Sequence, residues 1–229
     1  MYEERSSICF VSLNSYPIIS GKNVDNIGGA ELQQMLLAKD LNTRGFQISY
    51  VVFDHGQENY ETVDGIEIYN VGFPKRYTLS GLRSYLFILC LYWRTLSKAN
   101  ADIYYQRCAA RDTGLVALFC RVKRKKFFFA LASDKDVDGT FIKHSTAYER
   151  KSYNFGIKRA NCIIVQSEYQ QNLVREVYNR ESYLIRNAHP LVCLNRNAEK
   201  LPIVLWVGTI KPEWKQPELF LKLAEELPE

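Results

Sequence analysis

The 229-residue sequence has only two methionines, three histidines and seven prolines, and its six cysteines include no C-x-x-C pair. Cys9, Cys90, Cys108, Cys120, Cys162 and Cys193 lie mostly inside apolar stretches. That distribution argues against a zinc site or a disulfide framework and for buried free thiols in a reducing compartment. His55, His144 and His189 are scattered singly, as structural or exposed histidines are. No G-x-S-x-G, no P-loop and no H-E-x-x-H occurs, so the familiar signatures of serine hydrolases, nucleoside triphosphatases and zinc proteases are missing. Long hydrophobic runs are missing too. The longest stretch with few charges, residues 85–93, lies between Arg83 and Arg94, whereas a membrane span needs about twenty residues. The N-terminus starts acidic and its apolar run is too short for a signal peptide, so a cytoplasmic protein is expected. There are no internal repeats and no low-complexity segments.

What is present is the composition of an ordered chain: 47% hydrophobic and 24% charged residues, enough to bury a sizeable core. Fifteen Tyr and twelve Phe read mainly as core or half-buried rim. The net charge of +5 fits an anionic partner such as a phosphorylated sugar, an acidic lipid surface or nucleic acid, without choosing among them.

Strand and helix patterns alternate along the chain. Strands are expected at residues 8–13, 46–53, 65–71, 102–105, 126–131, 161–166 and 182–186. Helices are expected from Gly28-Gly29-Ala30-Glu31 to Gly45, and over 79–98, 113–121, 144–159 and 168–178. Such alternation predicts an α/β fold, a Rossmann-like parallel sheet with helices on both faces. Residues 1–186 form this domain. The polar stretch 187–200 reads as a linker, and 201–229 as the first strand and helix of an incomplete second domain, with a buried strand at 203–207 and a helix from about Gln216.

Three stretches resemble one family. The segment NIGGAELQQMLLAKDLNTRGFQISYVV, following the first strand, is similar to the opening of family 4 (group 1) glycosyltransferases of the GT-B fold. The segment IVLWVGTIKPEWKQPELFLKLAEELPE resembles the first strand, loop and helix of that family's donor-binding domain. IKRANCIIVQSEYQQNLVREVY followed by YLIRNAHP resembles the end of its acceptor domain. Glycines at a helix N-terminus let backbone N–H groups approach an anion, which the helix dipole favours.

The resemblance implies retaining transfer of a sugar from a nucleotide-sugar donor to a glycan or lipid-linked acceptor. It implies no cofactor beyond the donor, no metal and no nucleic-acid partner. Donor and acceptor binding falls to Gly28, Gly29 and Glu31 at one end of the chain and to Gly208, Thr209 and Lys215 at the other. Lys215 matches the family's diphosphate-binding lysine, whereas Thr209 stands where an arginine is expected, with Lys211 nearby. Where the family lines its cleft with a His or Asp, this sequence has Asp134, Asp136 and Asp138 after a buried strand; Asp134 and Asp136 are the catalytic candidates, and a solvated, helix-capping turn is the competing reading. Calcium is disfavoured because the twelfth position of the loop is Ser145, not Glu. The basic run 123–126 reads either as a solvated helix end or, with Arg107, Arg111, Arg121 and the 83–94 helix, as a contact with anionic lipid at the inner membrane face.

Two other functions compete. One is a non-catalytic acceptor- or partner-binding domain. The other is an unrelated Rossmann-like nucleotide binder, against which the missing G-x-G-x-x-G speaks although Asp54 ends the second strand. The chain alone is expected to be inactive, because the donor site draws on both halves of the fold.

Overall fold

The computed structural model describes residues 6–22, 28–74, 81–190, 203–208 and 216–226, and the chain divides into two compact units, Met1–His189 and Pro190–Glu229. In the first unit, the strands are β1 (Ser7–Val11), β2 (Gln47–Asp54), β3 (Tyr60–Val63), β4 (Ile66–Pro74), β5 (Ile103–Arg107), β6 (Lys126–Ala130), β7 (Cys162–Val165) and β8 (Tyr183–Leu184). They form one sheet in the order β3-β4-β2-β1-β5-β6-β7-β8. Every pairing is parallel except β3 with β4. Leaving β3 aside, the parallel strands run third-second-first-fourth-fifth-sixth, the doubly wound dinucleotide-fold order, with one further strand at the end.

The helices are α1 (Tyr16–Ser20), α2 (Gly29–Thr43), α3 (Gly81–Ala99), α4 (Thr113–Lys123), α5 (Thr140–His144), α6 (Ala147–Arg159) and α7 (Glu168–Tyr178). Strand periodicity sorts side chains between two cores. Cys9 and Val11 of β1 join Val51, Tyr92, Leu96, Tyr104, Phe119 and Tyr153 on the face covered by α3, α4 and α6. Ile8 and Phe10 point the other way, with Tyr16, Ile19, Ala38, Tyr50 and Ile68. The fully buried Phe and Tyr rings, Phe10 stacked on Tyr50 at 5.0 Å among them, bear out the reading of the aromatics as core.

Several local details depart from expectation. The hairpin β3–β4 was not foreseen; it turns through Asp64 and Gly65, both at positive φ (51° and 77°), as a two-residue primed turn requires. The helix expected over 144–159 starts later, as α6 at Ala147, with the short α5 before it, because the Thr146 Oγ1 caps α6 by accepting from the Glu149 N–H at 3.3 Å while the Glu149 carboxylate accepts from the Thr146 N–H at 2.9 Å. In α2 the expected apolar face is only half-buried or exposed, and the best-covered side chains are Gln33, Gln34 and Ala38. Cys90 is exposed, unlike Cys9 and Cys120, and Cys193 lies outside the described residues.

In the second unit, helix α8 (Pro217–Glu226) forms where expected. The buried strand expected at 203–207 does not form: Ile203, Val204, Leu205 and Val207 are all exposed and no strand pairs with them among the described residues. A strand needs a neighbour to satisfy its backbone groups and a surface to cover its apolar face, and apolar sequence supplies neither.

Candidate functional site

The strand order places a topological switch between β1 and β5. Connections leave β1 toward β2 on one side, and β5 begins the run on the other, and the region outside the carboxyl ends of these two strands is where doubly wound sheets place their ligand crevice. Four segments converge there: the N-terminus of α2, the end of β5, the loop after β6 and the tail after β8.

Gly28 is the N-cap of α2 in extended conformation, with no side chain to cap it, and both Gly28 and Gly29 are exposed. A Cβ at position 28 would collide with the Glu31 carboxylate, which folds back over the glycine. The positive end of the helix therefore already faces an acidic group of its own first turn. Behind it, Gln34 donates to the Ser12 Oγ at 2.8 Å, and Ser12 shares a 2.6 Å hydroxyl–hydroxyl hydrogen bond with Ser15, tying the helix to the end of β1.

At the end of β5, Arg107 donates through Nη2 to the Asn187 Oδ1 at 2.8 Å, yet its buried Nε–H has no partner. The next residue, Cys108, sits at φ 80°, a conformation that costs a side-chain-bearing residue on the order of 1–3 kcal/mol and that clusters at functional sites. Burial, helped by the negative charges of Asp136 and Glu31, pushes the Cys108 thiol up to about 12. The thiol is therefore protonated at neutral pH and no nucleophile.

The two aspartates singled out as catalytic lie in the loop after β6, in a short 3-10 turn. Asp136 is buried, and its carboxylate is fully engaged by the protein. Oδ2 accepts from the N–H groups of Ala132 (2.7 Å) and Ser133 (3.2 Å), and Oδ1 accepts from the Ala109 N–H (3.2 Å) and weakly from the Cys108 thiol (3.8 Å). Burial raises its pKa against the lowering pull of those donors. Asp136 thus clamps the β6 loop to the β5 loop. Asp134 is exposed and accepts from the Gln170 amide at 2.8 Å, while Asp138 accepts from the Thr140 N–H at 2.7 Å in a solvent-facing turn.

Residues 187–189, expected to begin a linker, pack back onto the first unit. Asn187 holds Arg107, and the His189 Nε2 meets the Gln33 Nε2 at 3.1 Å. Asn187, His189 and Gln33 were not picked out from the sequence as members of a site, and Arg107 was counted only among the cations of a membrane contact, whereas the structure ties it to Asn187 at the end of β5. Arg107 left one signal, a cation closing the otherwise uncharged strand Ile103–Arg107. The other three gave none, since their partners lie 80 or 156 positions away.

In the second unit, Gly208 is exposed, and a Cβ there would meet the Trp206 ring at 2.9 Å. Thr209 and Lys215 lie outside the described residues.

No family profile matches the chain, and no curated protein matches it. Among solved structures, it is similar to UGT89C1 of Arabidopsis thaliana complexed with UDP (10% identity, TM-score 0.48, 99% of this chain and 56% of that one). It is also similar to UDP-GlcNAc 2-epimerase from Methanocaldococcus jannaschii (10% identity, TM-score 0.47, 75% of this chain and 42% of that one). The chain thus spans about half the length of the structures it matches. These are distant likenesses of chain course, and the α/β Rossmann-like architecture rests on the strand order itself.

Proposed function

We propose that this chain is the acceptor-side half of a GT-B glycosyltransferase of the family 4 (group 1) type, in which the switch-point crevice receives a nucleotide-sugar. The observation that carries the reading is Arg107: a cation at the carboxyl end of β5, oriented by Asn187 and keeping a buried, partnerless Nε–H. A guanidinium held this way suits a phosphate or carboxylate oxygen, because its fork geometry matches both and its charge is already positioned. The sequence stretches at Gly28-Gly29 and Trp214-Lys215 support the sugar-nucleotide class over other anions.

In this reading Asp136 acts by holding the crevice loops, and Asp134 is the carboxylate left to orient a hydroxyl of acceptor or sugar. Lys215, with Gly208 and Thr209, belongs to the donor half and neutralises the leaving diphosphate. Transfer is retaining, to a glycan or lipid-linked acceptor, and most of the acceleration comes from positioning and charge stabilisation. Exposed Leu86 and Phe87 of α3, together with the exposed cations of the 121–124 stretch, support a peripheral contact with an anionic membrane. The 229-residue chain by itself is expected to turn over no nucleotide-sugar.

Calorimetric titration with UDP, GDP and their sugar conjugates tests the binding step. Arg107→Ala is expected to weaken the best nucleotide by about tenfold to a hundredfold, the effect of losing a hydrogen bond to a charged group worth roughly 1.5–3 kcal/mol. Measured on the complete protein, equal affinity in the variant, or no nucleotide binding at all, would overturn the reading. Asp136 being wholly engaged by backbone favours, as the second reading, a binding domain without chemistry. Turnover by the complete protein decides against that alternative.

A further inference from the structure

The segment that follows β8 crosses the switch-point site, and little holds it there. Residues 183–190 are all exposed. The last backbone hydrogen bond joins the Ile185 N–H to the Val165 carbonyl at 2.9 Å, and residues 186–190 make none among the described residues. Two side-chain contacts tether this strap: the Asn187 Oδ1 on the Arg107 Nη2 at 2.8 Å, and the His189 Nε2 against the Gln33 Nε2 at 3.1 Å. β8 stands three strand spacings from β5, roughly 14 Å, so the strap reaches both tethers by passing over the carboxyl ends of β7 and β6. That is the side on which a doubly wound sheet holds its ligand. An exposed segment with so few bonds opens at low free energy.

Beneath the strap, Arg107 is only partly used. Nη2 lies on the same side of a guanidinium as Nε–H, and together they form a fork that grips an oxyanion through two oxygens. Here Asn187 takes Nη2, while Nε–H is buried and bonded to nothing. The Tyr105 phenol lies near the same guanidinium, since burial raises its pKa and the Arg107 charge lowers it, yet Nε–H stays unpaired. A buried donor without a partner raises the free energy of this arrangement. The single oxygen of an amide does not fill both prongs. A phosphate does, once the cover over Nε has moved. The other walls are fixed: the Cys108 N–H donates to the Ala130 carbonyl at 3.0 Å, and Asp136 clamps the β5 and β6 loops together. The strap is the part free to leave. The other anion-favouring feature of the site, the N-terminus of α2, is likewise covered from within, by Glu31 over Gly28.

We propose that residues 186–190 are an internal stopper: Asn187 occupies Arg107 in the free protein, and a phosphate-bearing ligand exchanges places with it and releases the strap; this rests on the reading that Arg107 receives the phosphate of a nucleotide-sugar. A neutral amide acceptor gives way to a charged one, which forms the stronger hydrogen bonds. His189 leaves Gln33 in the same motion, being two residues further along the strap. The affinity of the site is reduced by the fraction of molecules in which the strap is closed.

Isothermal titration of the complete protein with UDP, GDP and inorganic pyrophosphate tests this, together with hydrogen exchange of the strap amides. Asn187→Ala is expected to bind the best of these ligands about tenfold more tightly, the effect of no longer displacing a hydrogen bond to a charged group. His189→Ala shifts affinity in the same direction by a smaller factor. In the wild type, amides 187–189 are expected to exchange faster with ligand bound, whereas a ligand resting against a fixed strap slows them. Melting temperatures recorded on the same samples identify a variant that is not folded; if Asn187→Ala is, His189→Ala and the wild-type exchange decide. Equal or weaker binding by folded Asn187→Ala, or strap exchange that is slowed or unchanged, overturns the stopper and leaves Asn187 an orienting residue. The nucleotide-binding reading survives that result so long as Arg107→Ala binds weakly. Absence of binding by the wild type to all three ligands overturns both.

Discussion

Asp136 shows how an acidic residue can look catalytic in sequence and be structural in space. An aspartate one loop beyond a buried strand is the pattern of a cleft carboxylate. Here three backbone N–H groups and a thiol share its two oxygens, and those N–H groups come from two different loops. Replacing it leaves buried donors unpaired on both. Asp136→Ala is expected to lower folding stability by about 2–4 kcal/mol, read as a shift of the urea midpoint with an unchanged slope. Asp134→Ala, at an exposed carboxylate with one amide partner, is expected to cost under about 1 kcal/mol by the same measurement. A catalytic group can be removed without unfolding the chain, and by that criterion Asp134 is the better candidate. Arg107 is the converse case: a strand-end arginine gives little away in sequence, and becomes a site residue once Asn187 is seen holding it.

Among the elements, the most extensive helix–helix contact is that of α4 with α6, and two glycines permit it. A Cβ at Gly156 would stand 2.7–2.8 Å from the side chain and backbone of Thr113, and one at Gly114 would run into the backbone of Ser152. Neither glycine has the positive φ of a turn, so their role is to let two helix backbones approach. This approach lets Ser152 donate to the Arg111 carbonyl at 2.7 Å and lets Tyr153 reach the Asp136 carbonyl at 2.8 Å from inside the core. Gly156→Ala is expected to destabilise by about 1–3 kcal/mol through overpacking, despite the better helix propensity of alanine. Thermal unfolding followed by circular dichroism measures it. A stabilised variant would show that the helices separate at no cost. The loop carrying Asp136 hangs from this contact, so crevice geometry and helix packing are one problem.

For the molecule as a whole, the question is which surfaces meet partners. No helix among the described residues is long and apolar enough to cross a membrane. Yet α3 exposes Leu86, Phe87 and Cys90, with Arg94 one turn beyond Cys90 on the same side. α4 exposes Leu118 and Val122 next to Arg121, Lys123 and Arg124. Trp93 against Phe119, 5.0 Å between ring centroids, shows that the two helices are neighbours. Apolar side chains flanked by cations suit the boundary of an anionic bilayer. Co-sedimentation with phosphatidylglycerol vesicles is expected to fall at least tenfold in the Leu86→Ser/Phe87→Ser double variant and to weaken with added salt. Vesicle binding unaffected by both changes would return these side chains to the ordinary apolar share of a protein surface.

Most of the fold was readable from the amino-acid order, because it is written in local periodicity. The buried strands 8–11, 48–53 and 126–131, the helix opening at Gly28 and the Ser167-capped helix at 168–178 each carry their pattern within a dozen residues. Alternation of those patterns was enough for a parallel sheet covered on both faces. What required the folded chain were the relations between distant residues. The order of strands decides where the switch point falls. Packing decides that Gln33 and Gln34, not the leucines beside them, are the covered side of α2. The tail after β8 decides that His189 and Asn187 sit beside residues 156 and 80 positions earlier. Even the apolar run 203–207 is strand-like only in composition, since a strand exists through its neighbours. Periodicity reports which face of an element is apolar; a binding site is made of polar ends brought together by topology, and no local pattern encodes that meeting.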